Sequence, residues 1–410
     1  MRKLITYALS EGVAKGMNLA VLLILPLFVT TSSFGKISLL IAFEQILLSL
    51  LLFGQNTAVL RFGYRFKKAT YHFLPNIIFL YLSISATALF ITASIIIVLK
   101  QNSLMSTQEV YLYGLTFLST FLLAMQELYL ANSRANSLHS DFLVVRILFQ
   151  SLKFITIISL SILKLEEWSY PVGQLTACFI GALACIFFYL KRENIANFRD
   201  RPLIRKHMFF FGFPFLLHSL IGIMYSVTDR YMIRYYLEPS QVGIYSFSYT
   251  IGSSIFYIIN ILTLAYISEI YREKGLTIQA KTKIKSLTIK SFYSVSIASA
   301  IALSLAIKLV PSYYPKYTQG IPTIALVMLA TCIHPIYLYG LFKLTLLKNS
   351  NLVPLATFFS FTLNIVLNMF LIPLYGITGA AIATLVSDIC LCFAMVAASH
   401  KAEATHLKTF

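Results

Sequence analysis

LVPLATFFSFTLNIVLNMFLIPLYGITGAAIATLVSDICLCFAMVAA, residues 352–398, carries one charged side chain, Asp388. It holds two apolar runs, 352–372 and 376–398, parted only by Pro373, Leu374 and Tyr375. A helix needs roughly 20 apolar residues to cross the hydrocarbon core of a bilayer, and each run meets that length. The pair reads as two membrane-spanning helices joined by a tight external turn at Gly376.

The same reading extends over the rest of the chain. Further apolar runs cover 10–31, 37–60, 73–99, 110–132, 142–163, 169–190, 208–236, 243–267, 291–310 and 322–347. Several contain Pro, such as Pro26, Pro214 and Pro335. Spanning helices tolerate these because neighbouring groups satisfy the freed backbone. About twelve spans consume roughly 240 residues, which leaves short connections and no large soluble catalytic domain. Composition agrees, with 58% hydrophobic and 12% charged residues among 410 and a mean hydropathy of +0.78. A soluble domain is closer to a quarter charged.

The net charge of +18 would suggest nucleic acid in a soluble protein. Here its distribution follows topology, and no nucleic-acid partner is expected. Counting from a cytoplasmic N-terminus, the inner connectors carry Arg61, Arg65, Lys67 and Lys68; Arg134; Lys191, Arg192, Arg199, Arg201, Arg205 and Lys206; Arg272, Lys274, Lys281, Lys283, Lys285 and Lys290; and Lys343 and Lys348. Arg2, Lys3, Lys401 and Lys408 lie in the tails, whereas the outer connectors hold only Lys36, Lys100, Lys164, Lys308 and Lys316. Lys and Arg collect on the cytoplasmic side. An even number of spans with both termini inside is therefore expected, in the cell inner membrane. Arg2 and Lys3 before an apolar run superficially resemble a signal peptide. No small-residue cleavage site follows, and Glu11 and Lys15 interrupt the run, so it reads as a retained span. The five cysteines lie inside apolar runs without zinc-like spacing, as buried hydrophobes, and no metal site is expected.

The basic connector 191–207 divides the chain in half. SFGKISLLIAFEQILLSLL (33–51) and QVGIYSFSYTIGSSIFYII (241–259) place Gly35 and Gly243 alike, just outside a span. Two readings stay open: a parallel repeat of six plus six spans, or two turns that share a glycine by chance. The repeat implies units over 1–200 and 201–410.

Some charges remain inside the runs. The cations are Lys15, Arg146, Lys153, Arg230 and Arg234. Arg146, Gln150 and Lys153 share one helical face. Singly, Lys15, Arg146 and Arg234 also fit side chains snorkelling to the headgroups. Lys153 and Arg230 lie deeper, where a cation calls for a wet cavity or a partner. Together the five suggest a cationic cavity for an anionic headgroup, because guanidinium groups grip phosphate in bidentate fashion. The acids are Glu44, Glu127, Asp229 and Asp388. They are candidates for ion coupling, with interhelical hydrogen bonding as the plainer role. Asp229, next to Arg230, also reads as local charge balance. His218 and His334 read as isolated packing residues, and tyrosines at span ends as an interfacial belt. No HExxH, GxSxG or Walker A motif is present, so no enzyme and no cofactor is expected.

Three stretches resemble the polysaccharide transporters of the MOP superfamily, specifically Wzx-type O-antigen and repeat-unit flippases. They are FGQNTAVLRFGY (53–64), FGFPFLLHSLIGIMYSVTDRYMIRYYLEPSQVGIYSFSYTI (211–251) and NIVLNMFLIPLYGITGAAIATLVSD (364–388). The resemblance implies an all-α, MATE-like fold of two six-helix bundles related by pseudo-two-fold symmetry around a central cavity. It implies a cargo of undecaprenyl-diphosphate-linked oligosaccharide for lipopolysaccharide assembly, alternating access coupled to H+ or Na+, and glycan polymerase machinery as a partner. Two other classes compete. A cation-coupled multidrug exporter of the same superfamily would want lumenal acids rather than bases. An integral membrane polymerase, ligase or acyltransferase would want reactive residues on a large external loop.

Overall fold

The computed structural model describes residues 2–65, 70–101, 106–192, 202–271, 276–349 and 351–408. Among these, every regular element is helical. The inner-connector cations Lys67, Lys68, Arg199, Arg201, Arg272 and Lys274 lie outside the described residues.

Each of the twelve apolar runs lies on helix. In order they fall on α1 (Arg2–Ile24), α2 (Thr31–Leu52), α4 (Thr70–Gln101), α5 (Thr107–Ala135), α6 (His139–Ile162), α7 (Ser169–Arg192) and α8 (Pro202–Tyr236). Then follow α9 (Pro239–Ser254) with α10 (Phe256–Tyr271), α11 (Ile278–Tyr313), α12 (Ile321–Leu346) and α13 (Leu352–Lys408), which holds the last two runs. Ten helical segments among the described residues are long and apolar enough to cross a membrane. The chain is an all-α, multi-pass membrane protein.

The structure refines the runs at their polar or glycine-bearing points. The 10–31 run ends as helix at Ile24 and closes in a 3-10 turn, Leu25–Leu27, that takes up Pro26. The 37–60 run breaks at Phe53 and Gly54, both at positive φ (46° and 68°), and a separate α3 (Gln55–Arg65) follows. The long α13 breaks at Gly376, with φ 61° and ψ −138°, at the turn expected there. Starts are also set locally. Ser106 and Glu109 form a capping box at α5, and Thr277 caps α11, so orphan amides at these helix starts are satisfied.

The chain forms two compact units. Unit 1 is 1–30 with 36–223, and unit 2 is 31–35 with 224–410. Each has one glycine-to-glycine crossing. In unit 1 a Cβ on Gly212 would lie 2.2 Å from the Phe53 carbonyl oxygen, and one on Gly54 2.5 Å from that of Gly212. In unit 2 a Cβ on Gly35 would lie 1.8 Å from the Pro239 carbonyl oxygen, and one on Gly243 2.1 Å from that of Thr31. Small residues let backbones touch, and dispersion over such contacts drives helix association where lipid cancels the hydrophobic gain.

Candidate functional site

Unit 1 gathers four of the charged candidates into two clusters. The first centres on Arg146 of α6. Its Nη1 donates to Glu127 Oε1 of α5 at 2.6 Å, and its Nη2 to Glu11 Oε2 of α1 at 3.1 Å. The guanidinium thus ties three helices and carries its own counter-charge. Lys15, one turn beyond Glu11, is exposed.

The second cluster lies two turns further along α6. Glu44 of α2 is buried (7% exposed). It accepts from the Tyr170 hydroxyl of α7 at 2.7 Å and from Gln174 Nε2 at 3.1 Å. The Lys153 ammonium sits 5.3 Å above the ring of the same Tyr170. Lys153 is 7% exposed, and its ammonium has no hydrogen-bond acceptor or carboxylate partner among the described residues. A cation over an aromatic face gains electrostatic energy while its N–H donors remain available.

Unit 2 has a related arrangement. The Asp229 carboxylate of α8 is buried and accepts from the Tyr245 hydroxyl of α9 and, at 2.8 Å, from the Arg230 backbone N–H. The Arg230 side chain forms no ion pair with Asp229, although the two charges still interact. Its guanidinium lies 5.5 Å from the centroid of the Tyr249 ring, with no carboxylate partner among the described residues, and its Nε has no acceptor. Arg234, one turn on, is exposed at the end of α8. Asp388, in the second half of α13, accepts from the Tyr225 hydroxyl at 2.6 Å. A chain of hydroxyls and amides extends from it. Tyr225 contacts Ser387 at 3.2 Å, Asn364 Nδ2 donates to Ser387 Oγ at 3.1 Å, and Asn368 Nδ2 to Asn364 Oδ1 at 2.9 Å. Asn368 Oδ1 is buried with no partner.

Of the tyrosines that hold the acids and cations, Tyr170, Tyr249 and Tyr225 are not singled out by the sequence, and Tyr245 enters only through the Val-Gly-x-Tyr turn of the 211–251 stretch. A mid-run Tyr close to one of the intramembrane charges was the available signal. Lys343, counted there among connector charges, is 2% exposed. It pairs with Glu403 at 2.7 Å, which also takes Lys281 at 2.5 Å. Among the described residues no three His, Cys, Asp or Glu side chains converge as a metal site would require.

Solved transporters share this fold. The chain superposes on an inward-facing multidrug-resistance MATE family transporter of the MOP superfamily with a TM-score of 0.74 at 12% identity, covering 98% of this chain and 99% of that one. It superposes on the lipid II flippase MurJ in an inward closed conformation with a TM-score of 0.73 at 14% identity, covering 96% and 87%. A MOP superfamily transporter from Pyrococcus furiosus, described as having a binding pocket of reverse polarity, gives 0.59 at 13% identity over 98% and 96%. The chain has the MATE-like fold. The profile of the family described as polysaccharide biosynthesis protein matches residues 1–270, and the chain belongs to that family. No curated protein sequence matches it.

Proposed function

We propose that this protein is a flippase that carries an undecaprenyl-diphosphate-linked oligosaccharide across the inner membrane by alternating access, with both termini cytoplasmic. One observation carries the reading. Lys153 in unit 1 and Arg230 in unit 2, both inside membrane-spanning helices, form no side-chain ion pair among the described residues, while the intramembrane acids are already engaged. Glu11 and Glu127 hold Arg146, Glu44 holds Tyr170 and Gln174, and Asp229 and Asp388 hold tyrosine hydroxyls. Cations in a bilayer that form no ion pair favour an anionic ligand, and a diphosphate presents several acceptor oxygens to such donors. Family membership and the likeness to MurJ support a lipid-linked glycan as that ligand.

In this reading Lys153 and Arg230 receive the diphosphate. Arg146, whose charge is already matched, holds α1, α5 and α6 together, and Lys15 and Arg234 stand at span ends where headgroups pass. With no nucleotide motif in the chain, transport draws on a gradient of H+ or Na+, and Glu44 and Asp388 are the acids free of a cationic partner that would exchange the ion. O-antigen assembly in lipopolysaccharide is the pathway class, with a polymerase acting on the delivered unit. The test is glycan display in a strain deleted for this gene, with lipid-linked intermediates assayed by leaflet. Accumulation in the cytoplasmic leaflet, relieved by the wild-type gene, is expected. Normal display in the deletion strain overturns the proposal.

A further inference from the structure

A cavity of about 500 Å³ opens in unit 1 between α2, the start of α3 and the first half of α8. That volume falls within the range of roughly 300–1,000 Å³ found for small-molecule sites. None of its lining side chains is a carboxylate, an ammonium or a guanidinium. The polar ones are amides, hydroxyls and an imidazole, among them Gln45, Asn56 and His218, and they alternate with apolar faces such as Leu48 and Phe215. Gln45 and His218 lie within the apolar runs of α2 and α8. Both are exposed, and neither has a hydrogen-bonding partner among the described residues. Beside them Ser49 and Ser219 bond to each other at 2.7 Å.

These features choose between occupants. Burying an amide or imidazole against hydrocarbon without a partner costs several kcal/mol, so an acyl chain is a poor fit. An anionic headgroup finds no cation on these walls. A pyranose ring meets both demands, since its hydroxyls donate to and accept from amide and imidazole groups and its C–H faces pack on an aromatic or aliphatic side chain. We propose that this cavity receives the uncharged saccharide rings of the cargo, with Gln45 and His218 hydrogen-bonding to ring hydroxyls and Phe215 lying beneath a ring face. The proposal rests on the flippase reading above. It adds a division of labour in which cations read the diphosphate and a charge-free pocket reads the glycan.

The experiment uses the purified full-length protein in nanodiscs and two probes. One is bare undecaprenyl diphosphate, and the other is the lipid-linked saccharide recovered from cells deleted for this gene. The wild type is expected to bind the glycosylated lipid about tenfold more tightly than the bare one, the gain from one or two net hydrogen bonds. Gln45→Ala and His218→Ala should erase that difference and leave binding of the bare lipid unchanged, which also shows that the variants fold. His218→Gln, which keeps a donor and an acceptor, should restore part of it. Equal affinity of the wild type for both probes overturns the pocket assignment but leaves the flippase reading standing. Variants that keep the full difference, or that weaken both probes alike, also overturn the assignment. Failure of the wild type to bind either lipid overturns the flippase reading, and this inference with it.

Discussion

In unit 1 a single aromatic ring does what two rings share in unit 2. Tyr170 donates its hydroxyl to Glu44 and lies under the Lys153 ammonium. In unit 2, Tyr245 donates to Asp229, and Tyr249, one turn along α9, lies under Arg230, the two rings 5.9 Å apart. The difference has a physical consequence. In unit 1 any change in the charge of Glu44 alters the electron distribution and position of the ring that holds Lys153, so acid and cation are linked through one side chain. In unit 2 the Asp229 carboxylate and the Arg230 guanidinium meet separate rings, Tyr245 and Tyr249. The comparison teaches that the two units place similar chemistry within the membrane and wire it differently. Unit 1 joins its acid and its cation through one ring, and unit 2 uses two.

The largest expected effect tests the proposed binding role of Arg230 beside its separate ring. Arg230→Ala should lower glycan export about 100-fold, because a charge-assisted bidentate contact contributes roughly 3 kcal/mol. The protein should reach the membrane at normal levels. Arg230→Lys should recover only part of the activity, since an ammonium cannot form the planar fork. Export by Arg230→Ala at the wild-type rate would remove Arg230 from the site. It would leave unit 2 with no cation over a ring that matters.

Next in size is the contrast between cations that carry their counter-charge and cations that do not. Arg146→Met strands Glu11 and Glu127, which are only partly exposed, so a stability loss of about 2 kcal/mol is expected. The melting temperature in detergent should fall, and affinity for undecaprenyl diphosphate should not. Lys153→Met should do the reverse, weakening diphosphate binding with little change in melting, because no acid is left unpaired. Equivalent behaviour of the two variants would erase the distinction. Glu403→Ala offers a control of the first kind outside both sites. It strands Lys343, which is 2% exposed, and should lower melting without changing affinity.

How much of this was readable beforehand depends on the range of the interaction. The spans and their turn at Gly376 follow from local composition, which a bilayer imposes on every segment separately. The break at Phe53–Gly54 was concealed because Ala58, Val59 and Leu60 continue the hydropathy of α2 past it. Charge placement gave the cations but not their partners. Glu44 meets Tyr170 across 126 positions, and Arg146 meets Glu11 across 135. No local signal encodes such pairings, which are set by helix packing. Adjacency tells part of it, because Asp229 and Arg230 are neighbours whose charges interact, yet their side-chain contacts go elsewhere. A helix separates consecutive side chains by about 100°, so the two point to different partners. The same limit applied to His218. It read as an isolated packing residue, and only the folded chain places it at a cavity beside Gln45, from another helix.

A smaller effect separates the two tyrosine arrangements directly. Tyr170→Phe keeps the ring under Lys153 but removes one donor from Glu44, a buried acceptor, at a cost of about 1–2 kcal/mol. Because the ring also positions the cation, both melting temperature and transport should fall. Tyr245→Phe makes the same deletion at Asp229, while Tyr249 still holds Arg230. It should lower melting to a similar degree and leave diphosphate affinity within about twofold. Loss of affinity in Tyr245→Phe as large as in Tyr170→Phe would show that the rings of unit 2 act as one.

The smallest structural change carries the sharpest test of coupling. Glu44→Gln is nearly isosteric, and its side-chain oxygen can still accept from the Tyr170 hydroxyl. Only the negative charge is lost, along with one of the acceptor oxygens that Tyr170 and Gln174 now use separately. The stability change should stay under about 1 kcal/mol. If Glu44 is the group that takes up an ion on one side and releases it on the other, removing its charge leaves binding intact and abolishes the drive. In proteoliposomes the variant should bind the lipid-linked glycan with wild-type affinity and move it at a rate that no longer responds to an imposed pH or sodium gradient. Asp388→Asn provides the counterpart in unit 2, where the acid is held by Tyr225 and is not linked through a shared ring to a cation. It should retain more of the gradient response than Glu44→Gln. A gradient response lost in Asp388→Asn and kept in Glu44→Gln would reverse the assignment and place coupling in unit 2. A full response in both would place coupling at another group, and a wild type that ignores the imposed gradient would leave the cargo's own gradient as the driving force.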